Sequence, residues 1–132
     1  MEQNKRAVVY CRLAQMDDEA MALQKERTLR YAAELGYLNP IVYVDNGASG
    51  LTFARPAFSA MNADIAVGKI GAVVVLSSSR IGRNAIKTLA WMDKVRSKGV
   101  VLKSWDGSLD YDAALGAVWD VMAGAARRTA KN

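Results

Sequence analysis

An α/β fold with a doubly wound, mainly parallel sheet of four to five strands and flanking helices is predicted by three observations. Short apolar runs alternate with longer helical patterns along the chain. One run, Gly71–Leu76 (GAVVVL), is unbroken, as a strand buried on both faces requires. No internal repeat, low-complexity segment or Pro/Ser-rich linker interrupts the alternation, so residues 1–132 read as one domain.

The first strand spans Ala7–Arg12. Asp17–Gly36 reads as a helix, acidic at its start, basic later and stopped by Gly36, with Met21, Thr28, Ala32 and Leu35 on its inward face. Ile41–Val44, after Pro40, is the second strand. The glycine-rich loop DNGASGLTFARP follows, and Pro56 suits the first turn of a helix that runs to Val67. After the third strand comes the loop SSSRIGRN, whose Asn84 is a good N-cap for a helix to Lys98, ended by Gly99. VVLKSW is the fourth strand. The core thus covers about residues 5–107.

A last helix is expected over Asp110–Arg128, capped by Asp110 or Asp112 and basic at its end through Arg127, Arg128 and Lys131. Leu115, Val118 and Met122 form an apolar stripe with Trp119 nearby, and Gly116, Ala117, Gly124 and Ala125 permit close helix contact. Self-association through this helix is favoured over its merely covering its own sheet.

With 52% hydrophobic and 23% charged residues, the chain can bury a real core. Its net charge of +5 favours a polyanionic partner such as nucleic acid. One cysteine, Cys11, allows no intramolecular disulfide and fits a reducing compartment. The absence of histidine removes the usual neutral-pH general base and most zinc sites. The start MEQNKRAVVY is too weakly apolar for a signal peptide, and no stretch of about 20 apolar residues occurs, so a cytoplasmic protein without a membrane partner is expected.

Sheets of this kind bind ligands at the carboxyl ends of their strands. Arg12, Arg55, Arg80 and Arg83 all fall at that edge, and Arg80 and Arg83, three apart at the entry to a helix, point the same way if that segment is helical. Guanidinium groups stay charged and grip phosphate bidentately, and a helix N-terminus near Arg80 and Arg83 would add positive potential. The plainer alternative is four solvated surface arginines.

Read together, YCR, then Gln24 and YAAELGY, then YVDNGASGLTFARPAF, then AVGKIGAVVVLSSSRIGRN resemble the resolvase/invertase family of serine recombinases, in order over roughly residues 5–107. The resemblance implies a domain whose relatives cut and exchange DNA through a serine two residues after the first-strand arginine. That chemistry passes through a covalent phosphoserine, without metal, cofactor or nucleotide energy source. By the same resemblance, Arg12 is the first-strand arginine and Gln24 the glutamine that orders the site. Asp45, Ser49 and Gly50 belong to the loop after the second strand, Arg55 lies beyond it, and Arg80 and Arg83 are the paired arginines. The last helix would form the dimer interface and lay its basic end across DNA.

Two positions depart from the pattern. Ala14 stands where the nucleophile is expected, and a methyl group cannot attack phosphorus. Ser79 stands where many relatives have aspartate just before the paired arginines. Tyr10 is the one hydroxyl between Val9 and Arg27, and it lies within a core strand. Ser77, Ser78 or Ser79 could substitute only with in-line geometry, and their plainer role is to bond loop amides or cap a helix.

The expectation is a recombinase-type domain without its nucleophile, a DNA-associated oligomerising or regulatory subunit acting as a homodimer or with a recombinase. An active or engineered-inactive recombinase fragment, and a phosphate- or nucleotide-binding module on a similar sheet, stand as alternatives. No helix-turn-helix, zinc finger or basic arm is recognisable as a separate DNA-reading domain, so DNA contact is expected to be phosphate-directed and salt-dependent.

Overall fold

A computed structural model describes residues 5–49 and 55–130, the last five of these as backbone only. Its elements are β1 (Arg6–Leu13), α1 (Asp18–Glu34), β2 (Ile41–Asn46), α2 (Pro56–Ala66), β3 (Ile70–Val75), α3 (Ala85–Arg96), β4 (Val101–Ser104) and α4 (Tyr111–Ala130), with a short 3-10 turn at Ser78–Arg80. The described sheet has four strands in the order β2-β1-β3-β4. All three neighbouring pairs are parallel.

The strands obey the two-residue alternation. Val8, Tyr10, Val73 and Val75 turn to one face and pack with Phe58, Met61 and Ile65 of α2 and with Trp91, Met92 and Val95 of α3. Val9 and Val74 turn to the other face and meet Ala32 of α1. The central strands β1 and β3 are therefore covered on both sides, which is why their apolar runs are continuous.

Local signals place the helix ends. Asp17 caps α1 by accepting from the Ala20 amide at 3.0 Å. Asn84 caps α3 by accepting from the Lys87 amide at 2.9 Å, as expected. Pro56 opens α2. Gly36 adopts φ of 91° just after α1, a left-handed conformation that suits glycine.

Three details differ from expectation. Leu35 lies at the C-cap of α1 and is exposed, and Gln24 takes the buried place on that helix instead. Its amide has partners in the sheet, so burial costs it little. Arg80 and Arg83 do not share a helix face, because the 3-10 turn ends at Arg80 and α3 begins only at Ala85. β1 and β2 each run past their expected ends, to Leu13 and Asn46, because the parallel ladder continues through Arg12↔Asp45 and Leu13↔Asn46.

Candidate functional site

The register pairs Arg12 with Asp45 across β1 and β2. The turn after β3 lies beside both. The three strand-end segments therefore meet at one carboxyl edge of the sheet, as the doubly wound topology requires.

Arg12 is 1% exposed, an unusual place for a guanidinium. It is accommodated because its donors meet backbone carbonyls: Nε donates to Arg80 O at 3.1 Å, Nη1 to Ala48 O at 2.8 Å and Nη2 to Ser79 O at 2.6 Å. One side chain thus ties the loop after β2 to the turn after β3. Arg55, also 1% exposed, donates from Nη1 to Arg80 O at 3.0 Å and from Nη2 to Ile81 O. Its guanidinium lies over the Phe58 ring, 4.3 Å from the centroid, which offsets part of its desolvation.

Arg80 returns the contact, donating from Nη1 to the Arg12 carbonyl at 3.0 Å. Its Nε is buried and meets no acceptor among the described residues. Arg83 is exposed and makes no hydrogen bond or ion pair among them. Burial pushes the Arg12 guanidinium below its ordinary value, and the charges of Arg55, Arg83 and Arg80 push the same way. Three further cations therefore stand within range of Arg12.

Asp45 is the buried carboxylate nearby. It is engaged three ways, accepting from the Tyr10 hydroxyl at 2.7 Å and from the Ala57 and Phe58 amides at 2.9 and 3.0 Å. It anchors the start of α2 rather than pairing an arginine through a hydrogen bond. Burial, then the hydrogen bond to Asp45, raise the Tyr10 hydroxyl well above its ordinary value. Sequence reasoning passed over this Tyr10–Asp45 pair. The signal was present: a tyrosine inside a buried strand needs an acceptor, and Asp45 is two residues along the neighbouring strand from the residue paired with Tyr10.

Gln24 bonds both backbone groups of Arg12. Its Oε1 accepts from the Arg12 amide at 2.9 Å and its Nε2 donates to the Arg12 carbonyl at 3.2 Å. The glutamine thus fixes the end of β1 against α1. Ala14 is exposed, two residues past Arg12. Ser49 is exposed at the end of the loop that carries Ala48, and Gly50 lies outside the described residues.

Two of the three serines have their hydroxyls in a local bond, and the third is held by its backbone amide. Ser79 Oγ donates to Ser77 Oγ at 3.2 Å, and the Ser78 amide donates to Ser108 Oγ at 2.7 Å. On α4, Leu115 and Val118 are half-buried, while Trp119 and Met122 are 61% and 53% exposed. The side chains of Arg127 and Arg128, and all of Lys131, lie outside the described residues. Among the described residues no cluster of three His, Cys, Asp or Glu side chains could hold a metal ion, and no helix is long and apolar enough to cross a membrane.

Comparison with known proteins agrees with this geometry. Residues 7–131 match the family model of the resolvase N-terminal domain, and the chain belongs to that family. No curated protein matches it. Among solved structures it is similar to the N-terminal catalytic domain of TP901-1 integrase, with a TM-score of 0.73, 23% identity and coverage of 96% of this chain and 97% of that one. A resolvase family site-specific recombinase from Streptococcus pneumoniae gives a TM-score of 0.73 at 24% identity, covering 96% and 93%. The C-terminal catalytic domain of ISC1926 TnpA, an IS607-like serine recombinase, gives 0.68 at 24%, covering 76% and 68%. The fold is that of serine recombinase catalytic domains.

Proposed function

We propose that this domain grips a DNA phosphodiester with an arginine site but cannot itself cut it, and that it acts as a DNA-associated, oligomerising or regulatory subunit. The observation that carries this reading is the crowding of Arg55, Arg80 and Arg83 around Arg12 at one sheet edge, where the one carboxylate buried among the described residues is already taken by Tyr10 and two amides. Like charges in mutual range are relieved by an anion, and a phosphodiester supplies one with oxygens for bidentate contact.

The arginines divide the work. Arg12 and Arg55 spend donors on the Ser79–Ile81 backbone, so they set the shape and the field of the site. Arg80 and Arg83 reach the phosphate, since Arg83 faces solvent and Arg80, only partly buried, spends Nη1 alone on the Arg12 carbonyl. Gln24 holds Arg12 in place by its backbone. Attack on phosphorus needs an activated hydroxyl at the position of Ala14, which has none. Ser77 and Ser79 are bonded to each other, which favours a structural role for them over substitution as nucleophile. Residues 1–132 form this one domain, with α4 as the self-association helix through Leu115, Val118, Trp119 and Met122 and a basic end at Arg127, Arg128 and Lys131 that adds phosphate contacts.

The reading is tested with duplex DNA in two assays. Anisotropy should report binding at low salt that weakens steeply as salt rises. Denaturing electrophoresis after incubation with nicked duplexes should show no protein–DNA adduct. An adduct would establish an active recombinase fragment instead, and absence of binding at low salt would favour a phosphate- or nucleotide-binding module.

A further inference from the structure

β4 is an edge strand, and α1 lies over β1 and β3. The α1 side of the β4 end is consequently uncovered, and a cleft of about 620 Å³ opens there. One wall is a single face of α1, carrying Arg27, Arg30, Tyr31 and Glu34 at helical spacing. The other wall is Trp105, the residue after Ser104, flanked by Asp106. The cleft is braced: Tyr31 Oη donates to the Ser104 carbonyl at 3.0 Å, and the Trp105 amide donates to the Val75 carbonyl at 3.1 Å.

The braced backbone contrasts with idle side chains. Trp105 is 69% exposed, and its indole has no ring contact or hydrogen bond among the described residues. Arg27 has neither ion pair nor hydrogen bond among them. Arg30 is bonded to Glu26 at 2.7 Å, but that pair is exposed and easily exchanged for another anion. Asp106 is satisfied within its own loop by the Ser108 hydroxyl and amide, at 2.6 and 2.9 Å. Glu34 remains as a carboxylate acceptor farther along α1.

We infer that this cleft binds an unpaired nucleotide, with its base stacked on Trp105 and its phosphate held by Arg27 and Arg30. The chemistry matches part for part. An exposed indole offers a face to any base, guanidinium groups bind the phosphate, and Glu34 accepts from an exocyclic amino group. A purely apolar ligand would leave Arg27 and Glu34 without a partner. A base inside a duplex is already stacked, so the ligand is a free nucleotide or a nucleotide of an unpaired strand. This site shares no residue with the arginine cluster and does not depend on the function proposed for that cluster.

The test follows tryptophan emission of the whole chain during titration with deoxyadenylate, with a ten-nucleotide deoxyadenosine strand and with a duplex of equal length. Saturable quenching by the mononucleotide assigns the cleft to free nucleotides, and quenching by the strand alone assigns it to unpaired strands; either supports the proposal. Anisotropy of the labelled strand should then show Trp105→Ala weakening binding by about fivefold or more, Trp105→Phe retaining most of it, and Arg27→Ala weakening it with the fold intact. Duplex affinity should be unmoved by Trp105→Ala and reduced by Arg83→Ala. Three results would overturn the proposal: no change in emission with either unpaired ligand, unaltered strand affinity in Trp105→Ala, or a concentration-dependent emission shift that Trp105→Ala abolishes and Trp119→Lys does not, which would give the cleft to a second copy.

Discussion

Arg12 and Arg55 donate to the same carbonyl oxygen, that of Arg80, at 3.1 and 3.0 Å. Two buried cations thus converge on the backbone of a third arginine. This arrangement makes the site edge rigid and positive together, and it sets the consequences of altering either residue.

Arg12→Ala removes donors to three carbonyls, those of Arg80, Ala48 and Ser79. The expected loss is about 3 kcal/mol, read as a lower urea midpoint with unchanged slope. Arg12→Lys should recover only part of it, because an ammonium cannot reproduce the planar fork. DNA affinity should fall in both.

Gln24→Ala leaves the Arg12 amide and carbonyl without their side-chain partners. A cost of about 2 kcal/mol is expected, again from urea unfolding. Amide exchange at Arg12 should accelerate, whereas exchange in the middle of β3 should follow only the global loss.

High pH should destabilise the protein through its buried phenols. Tyr10 is raised by burial and by its bond to Asp45, and Tyr43 is raised to about 12, by burial first and then by its hydrogen bond to Asp64. A raised phenol keeps its proton in the folded chain after the unfolded chain has lost it near pH 10. The Tyr10 contribution is therefore complete below about pH 10 and declines above it, by about 1.4 kcal/mol per pH unit. Tyr43 is less enclosed and contributes less. Unfolding midpoints at pH 9 and 11 should show the decline, and Tyr10→Phe should flatten it while costing about 1 kcal/mol at neutral pH.

Trp119 and Met122 leave α4 with an apolar face in solvent, which a second copy would cover. Sedimentation over a range of concentrations should reveal reversible dimers. Trp119→Lys should shift the equilibrium to monomer while leaving the fold of the subunit intact, since the side chain is 61% exposed.

Much of this was legible in residue pattern. The Gly71–Leu76 run, the Asn84 cap and the Pro56 helix start are local signals whose physics acts within a few residues, and each is found in the fold. Convergence of Arg12, Asp45 and the Ser77–Arg80 segment followed from topology alone. What escaped was set by contacts distant in sequence. That Arg12 would turn its donors onto Ala48, Ser79 and Arg80 depends on loop paths 36 to 68 residues away. Burial of Gln24 in place of Leu35 likewise depends on the unpaired polar groups at the end of β1, which periodicity does not register.

The central claim, a phosphate-gripping arginine site without a nucleophile, is tested most directly by the salt dependence of duplex binding in the native chain and in Arg83→Ala. Arg83 is exposed, so its loss should leave the fold intact. A plot of log affinity against log salt should be steep for the native chain and shallower by about one unit in the variant, the mark of one lost phosphate contact. Identical slopes and affinities in the two proteins, or no binding of either at low salt, would contradict the account.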